Sequence, residues 1–156
     1  VDGKPMYRHA LDAMMGCDHI DSVVIATDDE DIAKYANDMG LIVVHRTINA
    51  TTPDEPIFDV IKFAYKSLDR PYDIIVNIMA NSIGHKSSDI DKGLELIVRS
   101  EAGEIRSYGE DGIENGILIL DSLQLPKHEL STYVGMIQTE ASEIHYKWEL
   151  NDTQKQ

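Results

Sequence analysis

Two short stretches of this chain hold residues whose types and spacing could support chemistry. In the first, Ser22-Val23-Val24-Ile25-Ala26 runs straight into Thr27-Asp28-Asp29-Glu30-Asp31-Ile32-Ala33, an apolar strand followed by a hydroxyl, a run of carboxylates and a helix. Open parallel sheets bind ligands in the crevice beyond the carboxyl ends of their strands. Thr27 to Asp29 therefore stand at the lip of a candidate site. In the second stretch, Glu143-Ile144-His145 sets a carboxylate and an imidazole two residues apart. In an extended chain, alternation puts both on one face and Ile144 on the other. Taken by itself, that stretch also reads as a strand entering a last helix at Glu149-Leu150. The single cysteine, Cys17, excludes an internal disulfide and argues against a zinc cage, which needs several soft ligands. It reads as a small buried residue of the first helix.

Composition sets the frame for these residues. With 156 residues and 42% hydrophobic content, one domain with a real core is expected. No apolar run is long enough to span a bilayer, and the first residues lack the charged-then-apolar pattern of a signal peptide. The expectation is a cytoplasmic protein with no membrane partner. Lys and Arg number 14 against 28 Asp and Glu, a net charge of −14. That balance argues against nucleic acid, whose binding is driven by neutralising phosphates with basic side chains.

The elements that must position the chemistry alternate along the chain. Pro5 to Met15 is predicted as a helix, with Pro5 suited to its first turn and Leu11, Met14 and Met15 on an apolar face. Val23 to Ala26 has the uninterrupted β-branched character of a buried parallel strand. Asp31 to Met39 follows as a helix ended by Gly40, and Leu41 to Val44 as the next strand. Arg46 to Pro56 is a loop rich in Thr, Asn, Asp and Pro. Ile57 to Leu68 is a helix, Ile74 to Met79 a third strand, and Ser88 to Arg99 its following helix. Gly116 to Leu120 is a fourth strand. Three strand-then-helix units predict an α/β fold with a mainly parallel sheet, the three strand ends on one rim.

Gly3-Lys4-Pro5, a helix, V-V-I-A-T-D-D-E-D-I-A, and a second strand ending in His45-Arg46 occur in an order that resembles the cytidylyltransferases making CMP-activated acidic sugars, the acylneuraminate family. The resemblance implies a Rossmann-like nucleotidyltransferase sheet flanked by helices, one domain over residues 1–156. It also implies that the family's first strand and its basic, glycine-rich phosphate loop lie before Val1, outside this sequence. After the second strand the family has Arg-Pro, and here Arg46-Thr47 keeps the arginine. Arg46 is then a phosphate or ribose contact, its guanidinium offering a rigid fork of donors, or else a solvated arginine at a strand end. Asp54 in the same loop is a further nucleotide-binding expectation.

After the third strand, sialic-acid-activating members carry Q-P-T-S-P-L-R. The aligned Met79-Ala80-Asn81-Ser82-Ile83-Gly84-His85 keeps only the serine. The resemblance makes Asn81 and Ser82 nucleotide contacts, and Met79 and His85 sugar contacts, with His85 replacing arginine as a cation only when protonated. Asn115-Gly116-Ile117-Leu118-Ile119 is similar to the family's N-G-A-I-Y strand, which makes Asn115 and Gly116 sugar-binding positions. The same residues also read as a turn ahead of a strand. The family's D-I-D-T metal-holding segment corresponds to Glu143-Ile144-His145-Tyr146. Glu143 is then a Mg2+ ligand, with His145 touching phosphate or substrate, or the pair favours a softer ion such as Mn2+.

The reaction implied is attack of a sugar hydroxyl on the α-phosphorus of CTP, giving a CMP-sugar and pyrophosphate. The sugar expected is a nonulosonic, sialic-acid-like acid, and the resemblance implies a homodimer. No catalytic side chain is singled out. Between the helix ending at Arg99 and the N-G strand, Ser100 to Glu114 is expected to be too short for the strand, dimerisation arm and return that the family places there, so either the arm is lost or a segment is omitted near residues 100–104, the second being the expectation. A catalytically weakened member acting as a nucleotide- or sugar-binding regulator or scaffold is the alternative. A likeness of fold alone is the third reading, because doubly wound sheets host many functions.

Overall fold

Apolar runs and helical spacing become strands and helices close to where the sequence puts them. The computed structural model describes residues 1, 3–46, 57–127, 133–146 and 149. In chain order the elements are α1 (Met6–Met15), β1 (Val24–Thr27), α2 (Glu30–Asp38), β2 (Ile42–His45), α3 (Ile57–Lys66), β3 (Ile74–Ile78), β4 (Ser82–Ile83), α4 (Ser87–Arg99), β5 (Glu104–Tyr108), β6 (Glu114–Asp121), a 3-10 turn (Ser122–Lys127), β7 (Val134–Gln138) and β8 (Ser142–Glu143). They sort into two compact units, one formed by Ile20–Tyr72 and the other by Val1–His19 with Asp73–Gln156. Among the described residues, no helix is long and apolar enough to cross a membrane.

In the Ile20–Tyr72 unit, β1 and β2 pair in parallel, with Val24 opposite Ile42 and Thr27 opposite His45. The crossover between them is α2, and local chemistry sets both of its ends. The Asp29 carboxylate accepts from the Asp31 and Ile32 backbone N–H groups at 2.9 and 3.0 Å, satisfying donors that the first helical turn leaves open. At the other end Gly40 takes a φ of +73°, while Gly40 N–H donates to Asn37 O and Leu41 N–H to Ala36 O. This is the doubly bonded left-handed stop that glycine favours. Ala33 and Ala36 face inward from α2, and Ile61 from α3. The Tyr72 and Ser22 hydroxyls lie 2.9 Å apart and join the two ends of the unit.

The second unit is built on a four-stranded sheet in the order β3-β6-β5-β7. Strand β6 is central, and its six residues from Asn115 to Leu120 are all buried. It runs antiparallel to both β3 and β5, whereas β5 and β7 are parallel. Helix α4 covers this sheet with Ile90, Gly93 and Ile97, spaced three and four residues apart as one helical face requires. A β-carbon at Gly93 would collide with Ile119, so glycine here sets the helix-to-sheet distance. Glu104, 1% exposed, is paired with Arg106, which also reaches Glu114 at 2.7 Å. A buried carboxylate needs such a partner.

The α/β class stands, and the ladders are mixed: β1–β2 and β5–β7 parallel, the other three antiparallel. The segment 100–114 does hold a strand. Strand β5 fits because Gly109 N–H bonds to Ile113 O at 2.9 Å, returning the chain to β6 through a tight hairpin instead of an arm. Strands β4 and β8 are two residues long and β7 is interrupted by Gly135, so none presents an unbroken apolar run of strand length and all three escape sequence reading. Glu149 lies in a turn, and Leu150 with the rest of the expected last helix is outside the described residues.

Candidate functional site

The second unit gathers most of the residues singled out by sequence onto one short ladder. Strands β4 and β8 pair antiparallel, with Ser82 opposite Glu143 and Ile83 opposite Ser142. Ile144 N–H donates to Asn81 O at 2.9 Å, and the Asn81 amide reaches back to Ile144 O at 3.4 Å. Met79 is tied to the same place, its N–H donating to Gly116 O at 2.9 Å and its carbonyl accepting from Ser82 N–H at 3.0 Å. Met79, Asn81, Ser82, His85, Asn115, Gly116, Glu143 and His145 thus form one neighbourhood, although the sequence spreads them over more than sixty positions.

Gly116 is the hinge of this arrangement. Its φ of +109° is one that side chains rarely allow, and a β-carbon there would run into Ser82 and lie 3.5 Å from Glu143 Oε1. The glycine therefore lets Ser82 pack directly against the β6 backbone, forming a close-packed cradle with the Glu143 carboxylate at its edge. Beside it, the Asn115 carbonyl accepts from the Ser82 hydroxyl at 2.5 Å and from His85 Nε2 at 2.7 Å. A carbonyl can only accept, so the His85 proton sits on Nε2. Its Nδ1 is buried and has no hydrogen-bond partner among the described residues.

His85 is 8% exposed, and burial pushes its pKa below the ordinary histidine value, against the opposing pull of the Asn115 carbonyl and Asp89. Burial thus favours its neutral form, at a position where the sequence resemblance implies an arginine. The Asn115 side chain is turned inward as well. Its Nδ2 donates to Thr139 Oγ1 at 2.9 Å and to Ala141 O at 3.0 Å, and the Thr139 hydroxyl donates to Asn115 Oδ1 at 3.1 Å. Asn115 and His85 therefore position the backbone around Gly116 and Ser82. Thr139 and Ala141 were invisible to sequence reading, because nothing local marks them as partners of a residue 24 or 26 positions away.

Glu143 and His145 do share a face, as alternation requires. Glu143 Oε2 lies 3.2 Å from His145 Nε2, while Ile144 between them is 5% exposed. His145 is itself fastened from behind. The Glu149 carboxylate accepts from the His145 and Tyr146 N–H groups at 2.7 and 2.9 Å, and these bonds hold its pKa below the usual carboxylate range. For a divalent cation the pair offers one hard oxygen donor and one imidazole nitrogen. One carboxylate fits Mg2+ when phosphates and water supply the remaining oxygens. The imidazole suits Mn2+ better.

In the Ile20–Tyr72 unit, the acidic corner is organised by its own backbone. Asp29 N–H donates to Thr27 Oγ1 at 3.1 Å, and Asp29 caps α2. Arg46 N–H donates to Thr27 O at 2.9 Å, which sets Arg46 at the end of β2 beside Thr27. Asp54 lies outside the described residues.

Comparison with known proteins gives the chain its family and its fold relatives. Residues 1–140 match a family model described as cytidylyltransferase. Over 79 residues the chain is 35% identical to 3-deoxy-manno-octulosonate cytidylyltransferase from Zea mays, a match covering 51% of this chain and 25% of the maize protein. The fold superimposes on 4-diphosphocytidyl-2C-methyl-D-erythritol synthase from Anaerococcus prevotii DSM 20548 with a TM-score of 0.75 at 13% identity, covering 100% of this chain and 88% of that one. It superimposes on CMP:2-keto-3-deoxy-manno-octonic acid synthetase complexed with CTP with a TM-score of 0.73 at 12% identity, covering 98% and 87%. At such identities the likeness to the two solved structures is one of fold.

Proposed function

The chain belongs to the cytidylyltransferase family, and on that premise we propose that the protein transfers CMP from CTP to an acidic 2-keto-3-deoxy sugar, releasing pyrophosphate. The eight-carbon acid is the favoured acceptor, because the maize relative is a 3-deoxy-manno-octulosonate enzyme. A nine-carbon, sialic-acid-like acid is the competing acceptor.

The observation that carries this reading is the close packing at Gly116, where a backbone without a side chain lets Ser82 and the Glu143 carboxylate approach β6. Transfer of a nucleotidyl group asks the protein mainly for alignment of the nucleophile and for stabilisation of charge on the leaving group. Glu143 is the residue that would hold Mg2+, with His145 beside it able to turn the preference toward Mn2+. A bound cation would supply neutralisation of the pyrophosphate. Asn81 lies on the ladder that adjoins Glu143 and is assigned to the nucleotide, while Ser82, fully buried with its hydroxyl on the Asn115 carbonyl, fixes that ladder; the sequence resemblance also assigns Arg46 and Asp54 to the nucleotide. Met79 and Gly116 are assigned to the sugar side, with His85 and Asn115 holding them in place. The proposal includes a homodimeric, cytoplasmic protein.

A second reading rests on His85. An imidazole whose neutral form burial favours, where the sequence resemblance implies an arginine, removes a fixed charge, and this favours a member that binds nucleotide and turns over slowly. Pyrophosphate release by the full-length protein, supplied with CTP, Mg2+ or Mn2+ and either acid, separates the readings. Turnover that is faster with the eight-carbon acid is expected. CTP binding without pyrophosphate release would favour the binding-only reading, and neither would overturn both.

A further inference from the structure

Away from the residues assigned above, three side chains of different chemistry converge where the end of α1 meets α4. Cys17 Sγ lies 3.2 Å from Asp91 Oδ1, and His19 Nδ1 lies 2.8 Å from the same oxygen. The three donor atoms all fall within 4.8 Å of one another. We propose that Cys17, His19 and Asp91 form a three-ligand site for a borderline divalent cation, Zn2+ above Mg2+, with its remaining position open to water.

The distances are the first ground. A tetrahedral ion with ligands at 2.0–2.3 Å has its donor atoms roughly 3.4–3.7 Å apart. The two spacings to Asp91 Oδ1, 3.2 and 2.8 Å, fall short of that value by less than about 1 Å and the third is at most 4.8 Å, so an ion would be accommodated by sub-ångström spreading of the two short contacts. The donor types are the second ground. A thiol sulfur and an imidazole nitrogen select zinc or cobalt over magnesium, and one carboxylate completes the set. Exposure is the third. Cys17 is 4% exposed, whereas the His19 and Asp91 side chains are 73% and 44% exposed, so the sulfur is shielded and the other two ligands form an entry.

The backbone supports the arrangement. Cys17 N–H bonds to Met14 O at 3.2 Å, which ends the turn after α1 and directs the thiol toward α4. Asp91 lies in the second turn of α4, a helix anchored on the sheet by Ile90 and Gly93 on either side. One ligand pair is therefore close in sequence and the third is 72 to 74 positions away. This differs from a zinc cage, because three protein ligands and an open position need only one sulfur.

The test uses the full chain, stripped with chelator and titrated with Co2+, whose sulfur-to-cobalt charge-transfer absorption reports a thiolate ligand. Since Cys17 is the only cysteine, a band at one cobalt per chain is expected, displaced by Zn2+ and not by Mg2+. Cys17→Ser should abolish it. His19→Ala and Asp91→Asn, shown by circular dichroism to be folded, should each weaken cobalt binding by more than about tenfold. Absence of the band in the folded wild type overturns the proposal. So does undiminished affinity in His19→Ala and Asp91→Asn, because a bare thiol would then have captured the ion.

Discussion

The acidic corner of the Ile20–Tyr72 unit and the Gly116 cradle of the other unit make opposite use of their polar side chains. At the corner, Asp29 and Thr27 bond to N–H groups two or three residues away, and their contribution is to start a helix. At the cradle, Ser82 bonds to Asn115 across 33 positions and Asn81 to Ile144 across 63. The corner is local chemistry that any sequence window reveals. The cradle exists only once β4, β6 and β8 are brought together.

Substitutions should therefore be costlier at the cradle, and the largest effect is expected at Gly116. Gly116→Ala combines an unfavourable φ with a collision against Ser82, so urea unfolding should show a loss of about 2–5 kcal/mol with turnover abolished. A loss below about 1 kcal/mol would mean that the backbone relaxes easily there. Asn115→Ala removes the buried amide that serves Thr139 and Ala141 and should cost about 2–3 kcal/mol. At the corner, Asp29→Ala removes only a helix cap and should cost about 1 kcal/mol in the same measurement. Equal losses for Asp29→Ala and Asn115→Ala would erase the contrast.

A subtler effect is expected from His85. Its folded pKa is depressed below 6.5 by burial, so the unfolded chain takes up the proton more readily. Stability should fall as pH drops from about 6.5 toward the folded value and should be free of this penalty above that range. Comparing unfolding free energies of wild type and His85→Gln across pH 5 to 8 isolates the contribution. A wild-type profile no steeper than that of His85→Gln would show that His85 is not held neutral.

How much was legible follows the same division. Apolar runs such as Val24 to Ala26 and Ile117 to Leu120 declare strands, the first half-buried and the second buried, and Gly40 declares a helix end, because apolar patterning and backbone conformation act locally. The α/β class and four of the strands were readable on that basis. Strand β5 was missed because Glu104 and Arg106 look like surface residues, while their pairing inside the sheet is a tertiary fact. Alternation correctly put Glu143 and His145 on one face. Sequence could not reveal that Asn115 turns inward, since its partners Thr139 and Ala141 belong to a strand end with no apolar signature.

The central claim is that the Glu143 carboxylate beside Gly116 serves the metal and nucleotide of a cytidylyltransferase site. Calorimetric titration of the full-length protein with CTP, with and without Mg2+ or Mn2+, tests it most directly when wild type, Glu143→Ala and His145→Asp are compared. The account predicts that CTP binds better than ATP or GTP, that metal strengthens CTP binding in wild type, that Glu143→Ala loses this strengthening while its melting temperature is kept, and that His145→Asp shifts the preference toward Mg2+. Metal-dependent CTP binding unchanged in Glu143→Ala would contradict it.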